Sequence, residues 1–507
     1  MHANGVCIRM PAGGIVQGVI RLPKITILVC NFLIFFGLAI VAQAKMDVRE
    51  SMVKIYSVRN QPYYDNPWNI RGPKASSGSG CVIEGNRILT NAHVVSDQTF
   101  IQVRLHGKSK KHPAQVLAVS HEADLALLTV ENPAFFHGIK PLLLGKLPEV
   151  QQDVVVYGFP RGGDTLSTTK GVISRIEHQR YSHSSMDLLA AQLDAAVNPG
   201  NSGGPVMMGD RVVGVVMQSL RNSENIGYMV PIPVVRHFLA DVDDGRYDGF
   251  PVIGIYCQSM ENSALRKMYG LGEKQSGALV VSVLPGTPAE GKICPSDVIL
   301  SLDGSNVADD RTVEFRHGER TSMNYCIQRH QIGEEMSLRI LREGKEQTIR
   351  ITLDKAWGYN NLIPKLRYDV LPTYYIYGGL VFCPLTMNYL FTMNPKNAPP
   401  NLLYFLYNNK PTVKGEEAVI IVKILPSEVN NGYQEFVNER ITEVNGKKIK
   451  NLWDLIRIVE SGTEGRFVVF KNPLGNKIVL DRRMVEKEQD KILRTYRVPS
   501  DRSDDLR

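Results

Sequence analysis

The chain reads as a mainly β protein with some α, in which a β-barrel domain carries the chemistry and two smaller β-rich domains follow it. Three observations predict this. Short apolar runs, Arg87-Ile88-Leu89-Thr90 and Leu125 to Val130, end or begin beside polar residues with catalytic potential; loops at the strand ends of a rigid barrel are where such residues are usually presented. Two further apolar runs close on Leu-Pro, Gly277 to Pro285 and Glu417 to Pro426, and each precedes a strand-and-turn pattern, Ser296 to Gly304 and Arg440 to Lys447, as a degenerate internal repeat does. At 507 residues, with an ordinary 43% hydrophobic content, the chain is too long for one domain and suits about three.

In chain order, Arg21 and Lys24 precede an almost uncharged run, Ile25 to Val41, and then Ala42-Gln43-Ala44 and Lys45. A basic stretch, an apolar stretch and an A-x-A site make residues 1–44 a signal peptide cleaved after Ala44. The apolar run also approaches the length of a membrane span, so an uncleaved anchor is the one membrane contact expected. A catalytic domain is expected over 45–240, and Asp241 to Gly249 is a polar, glycine-bearing linker. The second domain is placed at 250–355, the third at 372–485 and a carboxy-terminal tail at 486–507.

Seven cysteines include Cys7 and Cys30 in the targeting segment, leaving Cys81, Cys257, Cys294, Cys326 and Cys383. Five is odd, so at least one thiol stays free or pairs between chains. No CxxC spacing occurs among them, so neither a metal nor another cofactor is expected. The formal net charge of +8 is modest for this length, and Lys110-Lys111 and Lys447-Lys448 sit in turn-like contexts. A nucleic-acid role is therefore not needed.

The chemistry lies in three motifs. Asn198 to Pro205 read N-P-G-N-S-G-G-P, with T-N-A-H-V-V around His93 and A-D-L-A-L-L around Asp124 upstream. A serine hydroxyl is a poor nucleophile near neutral pH; it needs a base within hydrogen-bond reach and a carboxylate that fixes the base's tautomer. Ser202, His93 and Asp124 fill those roles. Glycines around Ser202 let the backbone aim N–H groups at one point, so Gly200, Asn201 and Ser202 frame an oxyanion hole, with Gly200 and Ser202 as donors. This chemistry separates an endopeptidase from a chaperone or scaffold that only binds unfolded chains, which has no physical need of the trio. A secreted effector protease with one narrow substrate stays open as an alternative.

These motifs, with G-S-G-C-V-I ahead of them and N-I-G-Y-M-V-P after them, give Ser51 to Leu239 a resemblance to the chymotrypsin-type protease domain of the Deg/HtrA family. The resemblance implies a trypsin-like double β-barrel and a loop, Asp194 to Gly200, that switches the oxyanion hole on and off. It also implies a substrate pocket from Ile226, Gly227, Tyr228, Met229 and Val230. Nothing there is charged, so cleavage after Val, Ala, Ile or Leu is expected and Lys or Arg is disfavoured. Met229 is larger than the alanine common in bacterial relatives.

Val252-Ile253-Gly254-Ile255 matches the carboxylate-binding loop of PDZ domains, which receives a peptide's terminal carboxylate beside an open sheet edge. The corresponding stretch of the repeat, Tyr375 to Leu380, departs from that pattern. F-R-H-G-E-R at Phe315 to Arg320, M-E-N-S-A-L-R at Met260 to Arg266 and N-N-G-Y at Asn430 to Tyr433 resemble the plant-type branch with two PDZ domains. That resemblance implies unfolded or damaged proteins as substrates, peptide ligands for the first PDZ domain, added chaperone activity, and assembly as a homotrimer or hexamer. The branch has bacterial members too, and Ala42-Gln43-Ala44 favours secretion by a bacterium, to the periplasm or beyond.

Overall fold

A computed structural model describes residues 47–219, 227–393, 399–461 and 465–507; the expected signal peptide and Ile226 lie outside these residues. Alternation of branched and small side chains builds the first barrel. β1 (Met52–Arg59), β2 (Lys74–Ile83), β3 (Arg87–Thr90), β4 (Gln98–Leu105), β5 (His112–Ser120) and β6 (Leu125–Thr129) close in the order β1-β2-β3-β6-β5-β4. Val53, Ile55, Val82, Ile88, Ile101, Val103 and Leu128 fill its interior. A closed barrel leaves no strand edge unpaired, which suits a rigid scaffold.

The second barrel follows from β7 (Leu143–Leu144), β8 (Asp153–Gly158), β9 (Ser167–Arg180), β10 (Asp187–Leu193), β11 (Pro205–Met208), β12 (Arg211–Ser219) and β13 (Gly227–Pro231). The order is β11-β8-β9-β10-β13-β12, and β11 also pairs with β12, which closes the ring; β7 adds to β12 in parallel. A helix, Ile232–Asp241, leaves this barrel, and the linker expected after it is held: the Asp241 carboxylate accepts from the N–H groups of Asp248 and Gly249.

In the next domain β14 (Ile255–Gln258), β15 (Ala278–Val283) and β16 (Val298–Leu302) continue into strands Glu335–Arg342 and Lys345–Thr352 over a core that includes Ile253, Val280, Ile299 and Leu338. The repeat is visible in the turns. Asp303-Gly304 and Asn445-Gly446 both take positive φ at two successive residues and join paired strands, the type I′ hairpin geometry that Asp-Gly and Asn-Gly favour.

The third unit departs from the expected boundaries. Its core runs from Leu362 to Leu506 and includes Val485, Ile492, Val498 and Leu506. The segment 486–507, expected as a tail, is packed structure because the helix Arg482–Thr495 is amphipathic and buries Val485 and Ile492, while Arg502 bridges to Tyr375. The same packing explains the altered loop. Tyr375–Tyr377 and Leu380–Pro384 form a tight hairpin, with Gly378 and Gly379 at positive φ. Gln489 of the terminal helix accepts from the Gly378 N–H at 2.9 Å, and Asn430 donates to the Gly378 carbonyl at 2.8 Å. The Gly378 N–H, a donor of the kind a peptide carboxylate needs, is thus taken by the domain itself. All five cysteines outside the targeting segment are free thiols.

Candidate active site

The three predicted chemical residues come from three different elements. His93 sits in a short helix, Ala92–Val95, just past β3; Asp124 immediately precedes β6; Ser202 lies in the loop between β10 and β11. Asp124 is almost fully buried, and both of its oxygens meet His93: Oδ2 lies 2.7 Å from Nδ1, and Oδ1 accepts from the His93 backbone N–H at 2.9 Å. An ionised carboxylate only accepts, so the proton between them belongs to Nδ1 and the Nε2 lone pair is free for a base. Burial pulls the His93 pKa down, but the facing Asp124 carboxylate outweighs it and holds the imidazole above its ordinary value. The same pairing outweighs burial of Asp124 and keeps its carboxyl below the usual range.

Asp124 has a φ of +53°, a left-handed conformation uncommon outside glycine. Asn91 holds it there by donating to the Asp124 carbonyl at 2.7 Å. The Ser202 hydroxyl is turned toward the Met217 carbonyl at 3.4 Å, and among the described residues its hydrogen bond is to that carbonyl and not to His93. Rotation about one side-chain bond redirects a serine hydroxyl.

The oxyanion frame is narrower than the sequence suggests. The Arg161 N–H donates to the Pro199 carbonyl at 2.7 Å, and in a trans peptide this points the Gly200 N–H the opposite way. Gly200 needs its positive φ, and a Cβ there would lie 2.5 Å from the Phe159 carbonyl oxygen. The Asn201 N–H, by contrast, donates to the Asn198 carbonyl at 3.0 Å and closes the turn. Asn201 is therefore no oxyanion donor; its buried side chain packs against Gly158.

The expected pocket strand also changes. Successive side chains on a strand point to opposite faces, so Gly227 and Met229 share one face of β13 while Tyr228 and Val230 share the other. Tyr228 accepts from Arg175 at 3.0 Å and lies across from Gln192, away from Met229. These residues do not form a single wall. Val197, from the loop before Ser202, packs over Gly227.

The sequence reading missed a hub at Ser79, which lies in the quoted G-S-G-C-V-I stretch but received no role. Fully buried, Ser79 donates from its N–H to the Ser202 carbonyl at 2.9 Å and from Oγ to the Gly200 carbonyl at 2.7 Å; Oγ accepts from the Phe159 N–H at 2.8 Å. Ser79 thus holds both ends of the segment Gly200 to Ser202, by its side chain at Gly200 and by its backbone N–H at Ser202. Ser79→Ala leaves two buried backbone groups without partners, at about 1–3 kcal/mol each. The expected result is a lower urea midpoint and a kcat reduced at least tenfold, read by denaturation and steady-state hydrolysis side by side. An unchanged kcat in a destabilised protein would reduce Ser79 to a packing role.

A second site lies in the first carboxy-terminal domain. Gly254 has a φ of +88°, and a Cβ there would lie 2.1 Å from Thr287 Oγ1, so only glycine fits. Its carbonyl accepts from the Leu284 N–H, which turns the following Ile255 N–H the other way. Val252, Ile253, Gly254 and Ile255 line a cavity of about 750 Å³ with Met323 and Ile327. Among the described residues β14 pairs only with β15, which leaves its other edge open for an added strand.

Comparison with known proteins agrees with this architecture. Residues 78–215 match a family model described as a trypsin-like peptidase domain, and residues 251–353 and 363–505 match two PDZ domain models. Protease Do-like 4, mitochondrial, of Arabidopsis thaliana is 39% identical over 89% of this chain and 84% of its own length. Protease Do-like 2, chloroplastic, of the same plant is 37% identical over 90% and 75%. An HtrA-type protease solved with a decapeptide aligns over 61% of this chain and 96% of its own at 23% identity, with a TM-score of 0.49. The relatives carry organellar names, and the expected bacterial periplasm finds no support in them. By identity and extent of match, the chain belongs to the Deg/HtrA family of serine proteases, with a trypsin-like peptidase domain followed by two PDZ domains.

Proposed function

We propose that the chain is an ATP-independent endopeptidase of unfolded or damaged proteins, in which Ser202 is the nucleophile, His93 the general base and then acid, and Asp124 the orienting carboxylate. The observation that carries this is the two-point contact of Asp124 with His93. It leaves Nε2 free to take the Ser202 proton as Oγ attacks the scissile carbonyl, and the N–H groups of Gly200 and Ser202 receive the oxyanion. Collapse of the tetrahedral intermediate gives an acyl-enzyme, with the proton passed from His93 to the leaving amine; water, activated by the same imidazole, then releases the second product. Val197 and Gly227 supply the uncharged surface for a small or medium aliphatic side chain before the cut, with Met229 fully buried on the same face of β13.

The loop Val252 to Ile255 serves in this proposal as the receptor for a peptide's carboxyl end, with β14 as the pairing edge. Residues 1–44 act as an address segment. Assembly as a homotrimer or hexamer and a holding activity toward unfolded chains belong to the same reading and rest on the family resemblance alone.

The test is digestion of a reduced, unfolded protein by the chain lacking its first 44 residues, beside the Ser202→Ala variant, with every cut mapped by mass spectrometry. Cuts after Val, Ala, Ile or Leu that vanish in the variant are expected. Cuts clustered after Lys or Arg would overturn the pocket assignment.

A further inference from the structure

The turn that carries Asp124, Ser120 to Asp124, is gripped from the linker before the first PDZ domain and from the start of the second PDZ domain. Tyr247, in the linker between the protease and the first PDZ domain, donates from Oη to Glu122 Oε2 at 2.9 Å and lies 2.5 Å from Ser120 Oγ, which in turn accepts from the Ala123 N–H. Its ring packs edge-on against Phe238. Asp369, near the start of the second PDZ domain, reaches His121 Nε2 with Oδ2 at 2.9 Å. Asp369 is itself fixed by a paired contact with Asp97, each residue's N–H donating to the other's carboxylate.

The other side of the turn is closed as well. His121 Nδ1 lies 3.0 Å from His183 Nε2, and the Ser184 hydroxyl donates to the Glu122 carbonyl at 2.9 Å. Tyr368, beside Asp369, stacks on the His183 ring with centroids 3.9 Å apart and donates to the His183 carbonyl. Burial keeps His183 neutral, with a pKa pulled down to about 4. A non-glycine residue in the left-handed region persists only where its surroundings over-determine it. Asp124 is such a residue, and Glu122 and His121, two and three positions before it, are tied to Tyr247 and Asp369 respectively.

We propose that Tyr247 and Asp369 are positioning residues for Asp124: by clamping Glu122 and His121 from outside the protease domain, they hold the left-handed turn in which both carboxylate oxygens face His93. This rests on the assignment of Ser202, His93 and Asp124 proposed above. The groups facing His93 are Asp124, Arg59 and His183. Of these, Asp124 raises the imidazole's pKa, so a turn that relaxes away from His93 lowers it.

The experiment uses the chain lacking its first 44 residues, with Tyr247→Phe, which keeps the ring and loses only the hydroxyl, Asp369→Asn, and the double variant. Two readouts are taken: the His93 pKa by NMR titration of histidine-labelled protein, and the pH profile of kcat and KM on a peptide with an aliphatic residue before the cut. Each single variant is expected to lower the His93 pKa by at least half a unit, to reduce kcat about fivefold or more with KM little changed, and to move the acid limb of the profile down by the same amount. The double variant is expected to lose less than the product of the two, since both act through one turn. An unmoved His93 pKa overturns the clamp even where melting temperature falls, as does a loss confined to KM. Because the titration needs no turnover, it decides the clamp separately from the catalytic assignment, which fails instead if Ser202→Ala cleaves as fast as the parent.

Discussion

Ser202→Ala is expected to lower kcat by about five to six orders of magnitude, the scale on which removing a serine nucleophile acts when base and carboxylate remain. The size follows from the site's division of labour. His93 and Asp124 have no hydroxyl to activate once Oγ is gone, so their paired geometry contributes little. The N–H groups of Gly200 and Ser202 remain, because the backbone that aims them is fixed by Ser79 and Arg161 and not by the lost hydroxyl. They continue to polarise a bound carbonyl, so a residual rate above that in water, about 10³–10⁴-fold, is expected to persist. Peptide hydrolysis and labelling by a serine-directed fluorophosphonate check both halves: the parent is labelled, the variant is not, and KM stays close to the parent's. A variant within a hundredfold of the parent would move the nucleophile elsewhere. The hydroxyl's observed contact with Met217 adds a kinetic expectation, since a substrate or an activating peptide that completes the site must first turn Oγ toward His93.

Much of this site was legible because its chemistry restricts residue type. A nucleophile, a base and a carboxylate leave few alternatives, and each sat beside an apolar run that becomes a strand, β3 before His93 and β6 after Asp124. The glycines around Ser202 were legible for the same reason; at Gly203 and Gly204 a Cβ would lie 2.2 and 2.0 Å from backbone carbonyl oxygens. What was not legible depends on partners distant in sequence. Ser79 takes its meaning from Phe159, Gly200 and Ser202, some eighty to one hundred and twenty positions away, and nothing local distinguishes it from another strand serine. That the Asn201 N–H closes the turn depends on backbone direction, which residue type alone does not determine. The alternation that puts Tyr228 on the opposite face from Met229 was present in the sequence, where Tyr228 and Val230 alternate as core residues do. Residues 486–507 looked like a tail because their polar residues outnumber the apolar ones; the helix Arg482–Thr495 buries only Val485 and Ile492, and two anchors are enough when the domain beneath supplies the rest of the core.

Asp124→Asn tests the arrangement more sharply than removal of the carboxylate would, since it changes one atom and keeps the volume. Both oxygens of Asp124 accept hydrogen bonds, Oδ1 from the His93 backbone N–H and Oδ2 from the ring at Nδ1. A backbone N–H can only donate, so an asparagine must place its oxygen there and its NH₂ against Nδ1. Nδ1 then has to accept, which sends the ring proton to Nε2, the atom that should take the proton from Ser202. The expected cost is about 10⁴ in kcat near neutral pH, with a far smaller change in KM, because the substrate touches neither atom. The pH dependence has a definite sign. In the parent, the facing carboxylate holds the His93 pKa above its ordinary value despite burial, so activity falls on acidification through a midpoint above about 6.5. In the variant the opposing charge is gone while burial remains, so the His93 pKa drops and the acid limb of the residual activity shifts to lower pH. Histidine NMR titration reads the same shift without turnover. A variant that keeps the parent's acid limb, or loses less than about tenfold in kcat, would mean that His93 is oriented by something other than this carboxylate.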